Sequence, residues 1–185
     1  TYGYERLSNM IIWLNGTYGV GKTSVAIEIQ KQLSREDTII FDTDELFQSM
    51  DEKSFFDIII NDGGMKPQNN KRFLNRVIEE LKKYLSSDII CIVPMALTLI
   101  EGKEIVWDYV SQHCSRCFHF VLEADESVIC ERIKADSKRT DKSFALQEIG
   151  TNMFLINKYF QEAIRIDTNN KKVEDVAQEI IQYIV

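Results

Sequence analysis

A glycine-rich run that ends in lysine and threonine directly follows an apolar segment near the start of the chain. The run and the residue after it are Gly16, Thr17, Tyr18, Gly19, Val20, Gly21, Lys22, Thr23 and Ser24. Glycines let the backbone curl so that successive N–H groups face phosphate oxygens, and the start of a following helix adds its positive dipole end. Lys22 can then reach the β- and γ-phosphates, while the Thr23 hydroxyl can ligate Mg²⁺. The spacing therefore predicts a nucleoside triphosphate site, with ATP as the default nucleotide.

Two aspartates, Asp42 and Asp44, follow the second predicted strand. Ligands bind beyond the carboxyl ends of the strands in an open parallel sheet, so both carboxylates are expected to face the same crevice as the phosphate loop. We assign Asp42 to Mg²⁺, directly or through water, and Asp44 to a substrate hydroxyl, which it orients or deprotonates. An alternative role for Asp44, compatible with the first, is to cap a helix that begins at Glu45.

Four arginines are candidates for neutralising the charge that phosphoryl transfer develops on phosphate oxygens. Arg132 lies in a predicted helix, and Arg139 lies in the charged segment after it, which we interpret as a lid over about residues 134–144. Arg132 is also assigned to the nucleotide. Arg72 and Arg76 are four residues apart on the polar face of an amphipathic helix and are assigned to the substrate. The alternative for each arginine is an ordinary solvated side chain.

The ends of the third and fifth predicted strands complete the candidate site. The third strand ends in Pro94 and Met95, without the carboxylate that a motor-type NTPase normally carries deep in the sheet. This difference favours a small-molecule kinase over a motor or a switch, and we assign Pro94 and Met95 to the substrate. Asp167 and Thr168, at the end of the last strand, are expected to flank the adenine because of their place in the layout.

Apolar segments that alternate with helical patterns indicate a parallel sheet with helices on both faces. The predicted strands cover residues 10–15, 38–41, 88–93, 118–122 and 164–168, and the predicted helices cover residues 22–33, 45–50, 70–86, 102–113, 125–135, 144–162 and 173–184. The expected fold class is α/β, a three-layer P-loop NTPase with a five-stranded parallel sheet. We expect a single domain over residues 10–185, after an N-terminal extension over residues 1–9. Residues 51–70 contain a glycine-rich loop and are expected to form a mobile substrate region.

Composition restricts the partners and the location. The formal net charge of −7 argues against a nucleic-acid partner, which needs a basic face. No apolar run reaches the length of about 18 residues that a membrane helix needs, so no stable membrane insertion is expected, and we predict a cytoplasmic protein. Cys114 and Cys117 lie at a predicted helix-to-strand junction, where half-buried free thiols are expected. Zinc or redox chemistry is the less favoured alternative, because a zinc site usually has a second ligand pair.

The first strand and the phosphate loop resemble those of a known family. Residues 10–23, with Trp13 after two isoleucines and Tyr18 inside the loop, resemble the N-terminus of tunicamycin-resistance proteins, which are ATP-binding members of the P-loop kinase superfamily. Residues 92–95 resemble their third strand, and residues 166–177 their last strand and helix. The aspartate pair is also similar to that of shikimate kinase, and the layout to chloramphenicol phosphotransferase. These resemblances imply a common three-layer fold.

The function we expect is a kinase that uses ATP and Mg²⁺ to phosphorylate a hydroxyl of a small molecule, such as an antibiotic or a metabolite. In such an enzyme Lys22 and the loop hold the phosphates, Asp44 serves the acceptor, and Arg132 and Arg139 close over the developing charge. One alternative is a resistance protein that binds a drug in an ATP-dependent way without phosphotransfer. Another is an NTPase switch that responds to a protein partner.

Overall fold

The computed structural model describes residues 9–61 and 66–185, so the predicted extension lies outside the described residues except for Asn9. Five parallel strands form one sheet in the order β2-β3-β1-β4-β5. They are β1 (Met10–Asn15), β2 (Thr38–Ile40), β3 (Ile90–Pro94), β4 (Arg116–Glu123) and β5 (Ile164–Asp167). The predicted five-stranded parallel sheet is confirmed.

Helices connect the strands and cover both faces of the sheet. They are α1 (Lys22–Leu33), α2 (Thr43–Gln48), α3 (Glu52–Phe56), α4 (Lys71–Leu81), α5 (Ile100–Gly102), α6 (Asp108–His113), α7 (Glu126–Ala135), α8 (Lys142–Tyr159) and α9 (Val173–Ile184). The described residues also contain two π-helical turns, Asp57–Asn61 after α3 and Lys103–Trp107 between α5 and α6. A 3₁₀ turn, Pro67–Asn69, precedes α4.

Alternation along β1 sends its side chains to two separate cores. Ile11 and Trp13 pack on the side of α4, α6 and the end of α8, whereas Ile12 and Leu14 pack on the side of α1 and α9. Every residue of β1 is buried, as a central strand with helices on both faces requires. The phosphate loop therefore leaves the middle of the sheet, with two strand ends on either side of it.

The buried side chain of Asn15 fixes the segment after β3 against the end of β1. Its Nδ2 donates to the Leu97 carbonyl at 3.0 Å, and its Oδ1 accepts from the Leu97 amide at 2.9 Å and the Gly16 amide at 2.7 Å. The indole N–H of Trp13 donates to the Met95 carbonyl at 3.0 Å. Together these bonds hold the segment after β3 beside the phosphate loop.

Helix α2 begins at Thr43, two residues earlier than predicted. The cause is Asp42, whose Oδ1 accepts from the amides of Asp44 at 2.8 Å and Glu45 at 3.2 Å. These bonds satisfy amides that have no partner inside the helix, which is the role of an N-cap residue. The capping role considered for Asp44 therefore belongs to Asp42, and Asp44 lies in the first turn.

Several other predicted segments differ in extent from the structure. The helix predicted over residues 70–86 ends at Leu81, because the amides of Tyr84 and Ser87 donate to carbonyls three residues back and make turns. The segment between α7 and α8, where a lid is predicted over residues 134–144, covers only residues 136–141. Helical turns occupy much of the predicted substrate region, of which residues 62–65 lie outside the described part of the chain.

Two features of the described residues bear on location and on thiol chemistry. No helix within residues 9–61 and 66–185 combines the length and apolar character needed to cross a membrane. Cys114 directly follows α6 and Cys117 lies in β4, and both thiols are free. Burial raises the pKa of Cys117, which is the opposite of what a reactive thiolate requires.

Candidate functional site

The phosphate loop joins β1 to α1 with a backbone that requires glycine, as Gly16 and Gly19 illustrate. Gly16 has a φ of 142°, and a Cβ there would lie 2.8 Å from the Leu122 carbonyl oxygen. Gly19 has a φ of 74°, and a Cβ there would lie 2.5 Å from Cγ1 of Ile133. The loop therefore rests directly on β4 and α7, and its curled backbone is the predicted phosphate cradle.

Lys22 lies at the start of α1 and reaches back into the loop. Its Nζ donates to the Gly16 carbonyl at 2.8 Å and to the Thr17 carbonyl at 2.9 Å. Burial lowers the pKa of Lys22 to about 8, and the charge of Arg139 adds to the shift, while Asp44 opposes it. The ammonium group therefore lies in the cradle and loses its proton more readily than an ordinary lysine.

A cleft of about 1220 Å³ opens around the loop. The strand order places β3 and β2 on one side of β1, and β4 and β5 on the other, which divides the cleft. The β2 side is lined by Thr43, Asp44, Phe47, Phe73, Pro94 and Met95, and the β5 side by Arg132, Ile133, Thr168, Lys172 and Val173. The phosphate loop, with Lys22 and Thr23, lies between the two sides.

Arg132 binds the end of β5 on the β5 side of the cleft. Its guanidinium donates to the hydroxyl and the carbonyl of Thr168 at 2.9 and 2.8 Å, and to the Val20 carbonyl at 3.3 Å. Arg132 and Thr168 are therefore brought together as predicted for the nucleotide. Asp167 does not lie with them. Its carboxylate accepts from the Asn169 amide at 3.0 Å, and the residue borders a separate, smaller cavity.

Asp44 is the carboxylate that lines the β2 side of the cleft, whereas Asp42 is engaged in capping α2. Partial burial and the negative charge of Asp42 raise the pKa of Asp44, although Lys22 and Arg139 oppose the shift. Asp44 and Lys22 line the same cleft. Asp42 keeps one oxygen, Oδ2, without a hydrogen-bond partner among the described residues, and this oxygen is free for a metal.

Arg139 extends from the segment between α7 and α8 back to the phosphate loop. Its guanidinium lies 5.5 Å from the ring centroid of Tyr18 and pairs with Asp141 at 2.9 Å. Its charge influences the pKa of both Lys22 and Asp44. The structure therefore brings Arg139 to the site, as predicted.

Arg72 and Arg76 lie outside the cleft, which corrects their assignment to the substrate. Arg72 pairs with Asp57 at 3.3 Å and its side chain is 62% exposed, while Arg76 pairs with Glu80 at 2.8 Å and is 51% exposed. The reason is the orientation of α4, whose inner face buries Phe73 and leaves both arginines outside.

The segment before α4 belongs to the substrate region predicted over residues 51–70, and it contributes site residues that the sequence analysis did not name. Gln68 donates to the Tyr18 hydroxyl at 2.6 Å, which ties the segment to the phosphate loop. Asn69 accepts from the Thr98 hydroxyl at 3.0 Å, and Lys66 forms an ion pair with Glu148 of α8. These residues form no motif, and only the folded chain brings them to the loop.

The lowered pKa of Lys22 predicts a pH-dependent affinity for ATP. Phosphates stabilise the ammonium form, so binding raises the pKa of Lys22 above its value of about 8 in the free protein. As the pH rises above 8, the free protein loses this proton and binding must restore it. We expect the Kd for Mg·ATP to rise about tenfold per pH unit there, with uptake of about one proton. Calorimetric titration in buffers of different ionisation enthalpy measures both quantities.

The matched control for this prediction is Lys22→Arg, because a guanidinium keeps its charge over the whole range. Its affinity is expected to be weaker than that of the natural protein but independent of pH between 7 and about 9.5. A natural protein whose affinity is equally flat over this range would contradict the proposed protonation of Lys22.

Solved structures of a resistance protein and of two small-molecule kinases are similar to this chain. The tunicamycin resistance protein of Deinococcus radiodurans has a TM-score of 0.68 at 20% identity, covering 95% of both chains. Shikimate kinase from Acinetobacter baumannii in complex with shikimate has a TM-score of 0.65 at 20% identity, covering 98% of this chain and 94% of that one. APS kinase from Mycobacterium tuberculosis in complex with AMPPNP and APS has a TM-score of 0.63 at 16% identity, covering 95% and 96%. At these identities the likeness shows the fold, and the predicted P-loop kinase fold is confirmed.

No curated protein matches this chain. A family model described as an AAA domain matches residues 12–179, from the middle of β1 into α9. The match includes the phosphate loop, the aspartate pair and both sides of the cleft. Because it extends over most of the chain, the protein belongs to the AAA domain family, and it has a P-loop kinase fold.

Proposed function

We propose that this protein is an ATP-dependent phosphotransferase that phosphorylates a hydroxyl of a small molecule. The observation that carries the proposal is the divided cleft. A phosphate loop lies in its middle, Arg132 and Thr168 lie on the β5 side, and the carboxylate Asp44 lies on the β2 side. A cleft with space on both sides of the cradle suits a nucleotide and an acceptor bound together, as direct transfer between them requires.

The β5 side is assigned to the nucleoside of ATP. Arg132 and Thr168 form its edge, and Lys172 and Val173 at the start of α9 face it. The phosphates would lie in the loop, where backbone N–H groups, Lys22 and the positive end of α1 hold negative charge. Titration of the free protein with Mg·ATP tests this part of the proposal separately from chemistry.

Magnesium is assigned to two oxygen donors, one in the cleft beside the cradle and one at the start of α2. The Thr23 hydroxyl lies in the cleft beside Lys22, and Oδ2 of Asp42 lacks a partner among the described residues. Mg²⁺ prefers oxygen ligands and keeps several waters, so one hydroxyl and one carboxylate suffice beside the phosphates. Bound there, it would neutralise charge on the β- and γ-phosphates.

The β2 side is assigned to the acceptor. The acceptor oxygen forms a bond to the γ-phosphorus, and the bond from that phosphorus to the β–γ bridging oxygen breaks, which releases ADP. Asp44 orients the acceptor hydroxyl and takes its proton, and its raised pKa suits it to accept one. Arg139, whose charge already acts on Lys22 and Asp44, would stabilise the charge on the transferring group.

The experiment that tests the proposal is incubation with Mg·ATP and a panel of hydroxyl compounds, which are tunicamycin, shikimate, chloramphenicol and common nucleosides. Mass spectrometry then searches for a product that is heavier by one phosphoryl group. We expect such a product with the natural protein and none with Lys22→Ala. Tunicamycin binding without a heavier product would instead favour ATP-dependent drug sequestration, the alternative function. Hydrolysis that responds only to a protein partner would favour a switch.

A further inference from the structure

The β2 side of the cleft is predominantly apolar and aromatic. The rings of Phe47 and Phe73 meet edge to face at 5.4 Å, and Met95 and Ile59 lie with them along the same side. Phe144, at the start of α8, contacts the Tyr18 ring at 5.9 Å and also lines the cleft. A molecule bound here would therefore contact ring faces and aliphatic carbon over much of its surface. The proposal that follows rests on the function proposed for this cleft.

The described cations near this side, which are Lys66, Arg139 and Lys22, are all engaged by other groups of the chain. Lys66 forms its ion pair with Glu148, and its Nζ also lies 5.4 Å from the Phe144 ring centroid. Arg139 pairs with Asp141 at 2.9 Å. Lys22 is held in the cradle by two loop carbonyls, where ATP would compete for it.

Asp44 carries a negative charge on this side and has no ion-pair partner within hydrogen-bonding distance among the described residues. A carboxylate, phosphate or sulfate placed beside it would lose water without gaining a cation, and it would be repelled by Asp44. Burial of an unpaired anion is strongly unfavourable, and proteins that bind such groups use free arginine or lysine side chains. An uncharged ring system would neither lose the hydration of a charged group nor be repelled by Asp44.

We propose that the acceptor of this enzyme is an uncharged molecule whose hydroxyl meets Asp44 and whose ring or aliphatic part lies against the apolar wall. The amides of Gln68 and Asn69 and the Thr43 hydroxyl lie at the same side and offer polar contacts that need no charge on the ligand. Acceptors bearing a carboxylate, phosphate or sulfate group are disfavoured by this arrangement, although proteins of the same fold bind shikimate and APS.

Pairs of compounds that differ only in one charged group test the proposal. The pairs are methyl shikimate and shikimate, uridine and uridine 5′-monophosphate, and methyl glucuronate and glucuronate. Their affinities are measured by calorimetry in the presence of Mg·AMPPNP, so that binding is read without phosphoryl transfer. We expect an uncharged member to bind at least about tenfold more tightly than its anionic partner. The proposal is overturned if an anionic member binds as tightly as its partner, or if no uncharged member binds.

A pair of arginine substitutions gives an independent measurement. Ile59→Arg places an unpaired cation on the β2 side and is expected to shift binding towards the anionic members by about tenfold or more. Ile60→Arg is the matched control, because Ile60 is 56% exposed and does not line the cleft. An equal shift in both variants would show that general charge, rather than the lining of the cleft, decides selectivity.

The function and the inference can fail separately. If uncharged compounds bind but none gains a phosphoryl group from Mg·ATP, the proposed phosphotransfer is wrong and the inferred ligand class stands. If an anionic compound is phosphorylated efficiently, phosphotransfer stands and the inferred ligand class is wrong.

Discussion

Replacement of Asp44 by asparagine is expected to reduce kcat for phosphoryl transfer by about 10²–10⁴-fold, the usual contribution of a positioned general base. Asparagine keeps the size of the side chain and its place in the first turn of α2, but it cannot accept the acceptor proton. Affinity for Mg·ATP is expected to change little, since the phosphates are held by the loop and by Lys22. Steady-state kinetics with an acceptor found in the panel, combined with calorimetric titration of Mg·ATP, measure both effects.

The matched control for Asp44 is Glu45→Gln. Glu45 is the next residue of the same helix, its side chain is exposed, and it does not line the cleft. The Glu45→Gln substitution removes one negative charge from the same turn as Asp44→Asn does, so a general electrostatic effect would appear in both variants. Unchanged turnover in Asp44→Asn would remove its assigned role, and an equal loss in both variants would reassign the effect to net charge.

The phosphate loop and the sheet were predictable because their determinants are local. Residues 16–23 contain every glycine, lysine and hydroxyl that the cradle needs, and they adjoin a buried strand and an amphipathic helix. Strand ends in a parallel sheet share one edge, which is why Asp44 and Thr168 could be placed at the same cleft. The boundaries of α1 and α9 also match the prediction.

The roles of individual polar residues depended on contacts that a linear pattern does not contain. Either aspartate of the pair can cap a helix, and only the position of the first turn shows that Asp42 does so. Arg72 and Arg76 share a polar face, but that face is determined by what α4 buries rather than by the ligand. The direction of Asp167 follows from its bond to the Asn169 amide.

The β2 side of the cleft was the least predictable part, because its members are dispersed along the chain. Phe47 comes from α2, Phe73 from α4 and Phe144 from α8, and no spacing connects them. Each one reads as an ordinary core residue in its own helix. Their common function as a wall emerges only from the packing of these helices around the loop, and substrate selectivity therefore could not be inferred from motifs.

His119 predicts a marked acid sensitivity of the fold. Its ring is 5% exposed in β4, at 4.5 Å from the ring of Trp107 and 5.1 Å from that of Phe160. Neither ring nitrogen has a hydrogen-bond partner among the described residues. Burial lowers the pKa of His119 to about 3, and the positive charges of Arg165 and Lys103 add to the shift.

The sign of the effect follows from proton binding to the two states. The unfolded chain protonates this histidine near its ordinary pKa of about 6.5, whereas the folded protein keeps it neutral down to about 3. The free energy of unfolding is thus unaffected above pH 6.5 and falls by about 1.4 kcal/mol per pH unit below it. Between pH 7 and 5 this histidine alone should cost about 2 kcal/mol of stability.

Two substitutions, His119→Phe and His119→Leu, test this expectation, because both replace the titrating ring by an apolar group among the same aromatic neighbours. Urea unfolding at pH 7, 6 and 5 should show that the variants lose about 2 kcal/mol less than the natural protein over this range. His113→Gln is the control, since His113, the chain's other histidine, is exposed at the end of α6. Variants at position 119 that lose stability between pH 7 and 5 as steeply as the natural protein would show that the buried ring does not govern this acid response. The carboxylates would then be its source, and the neutral histidine would contribute to packing alone.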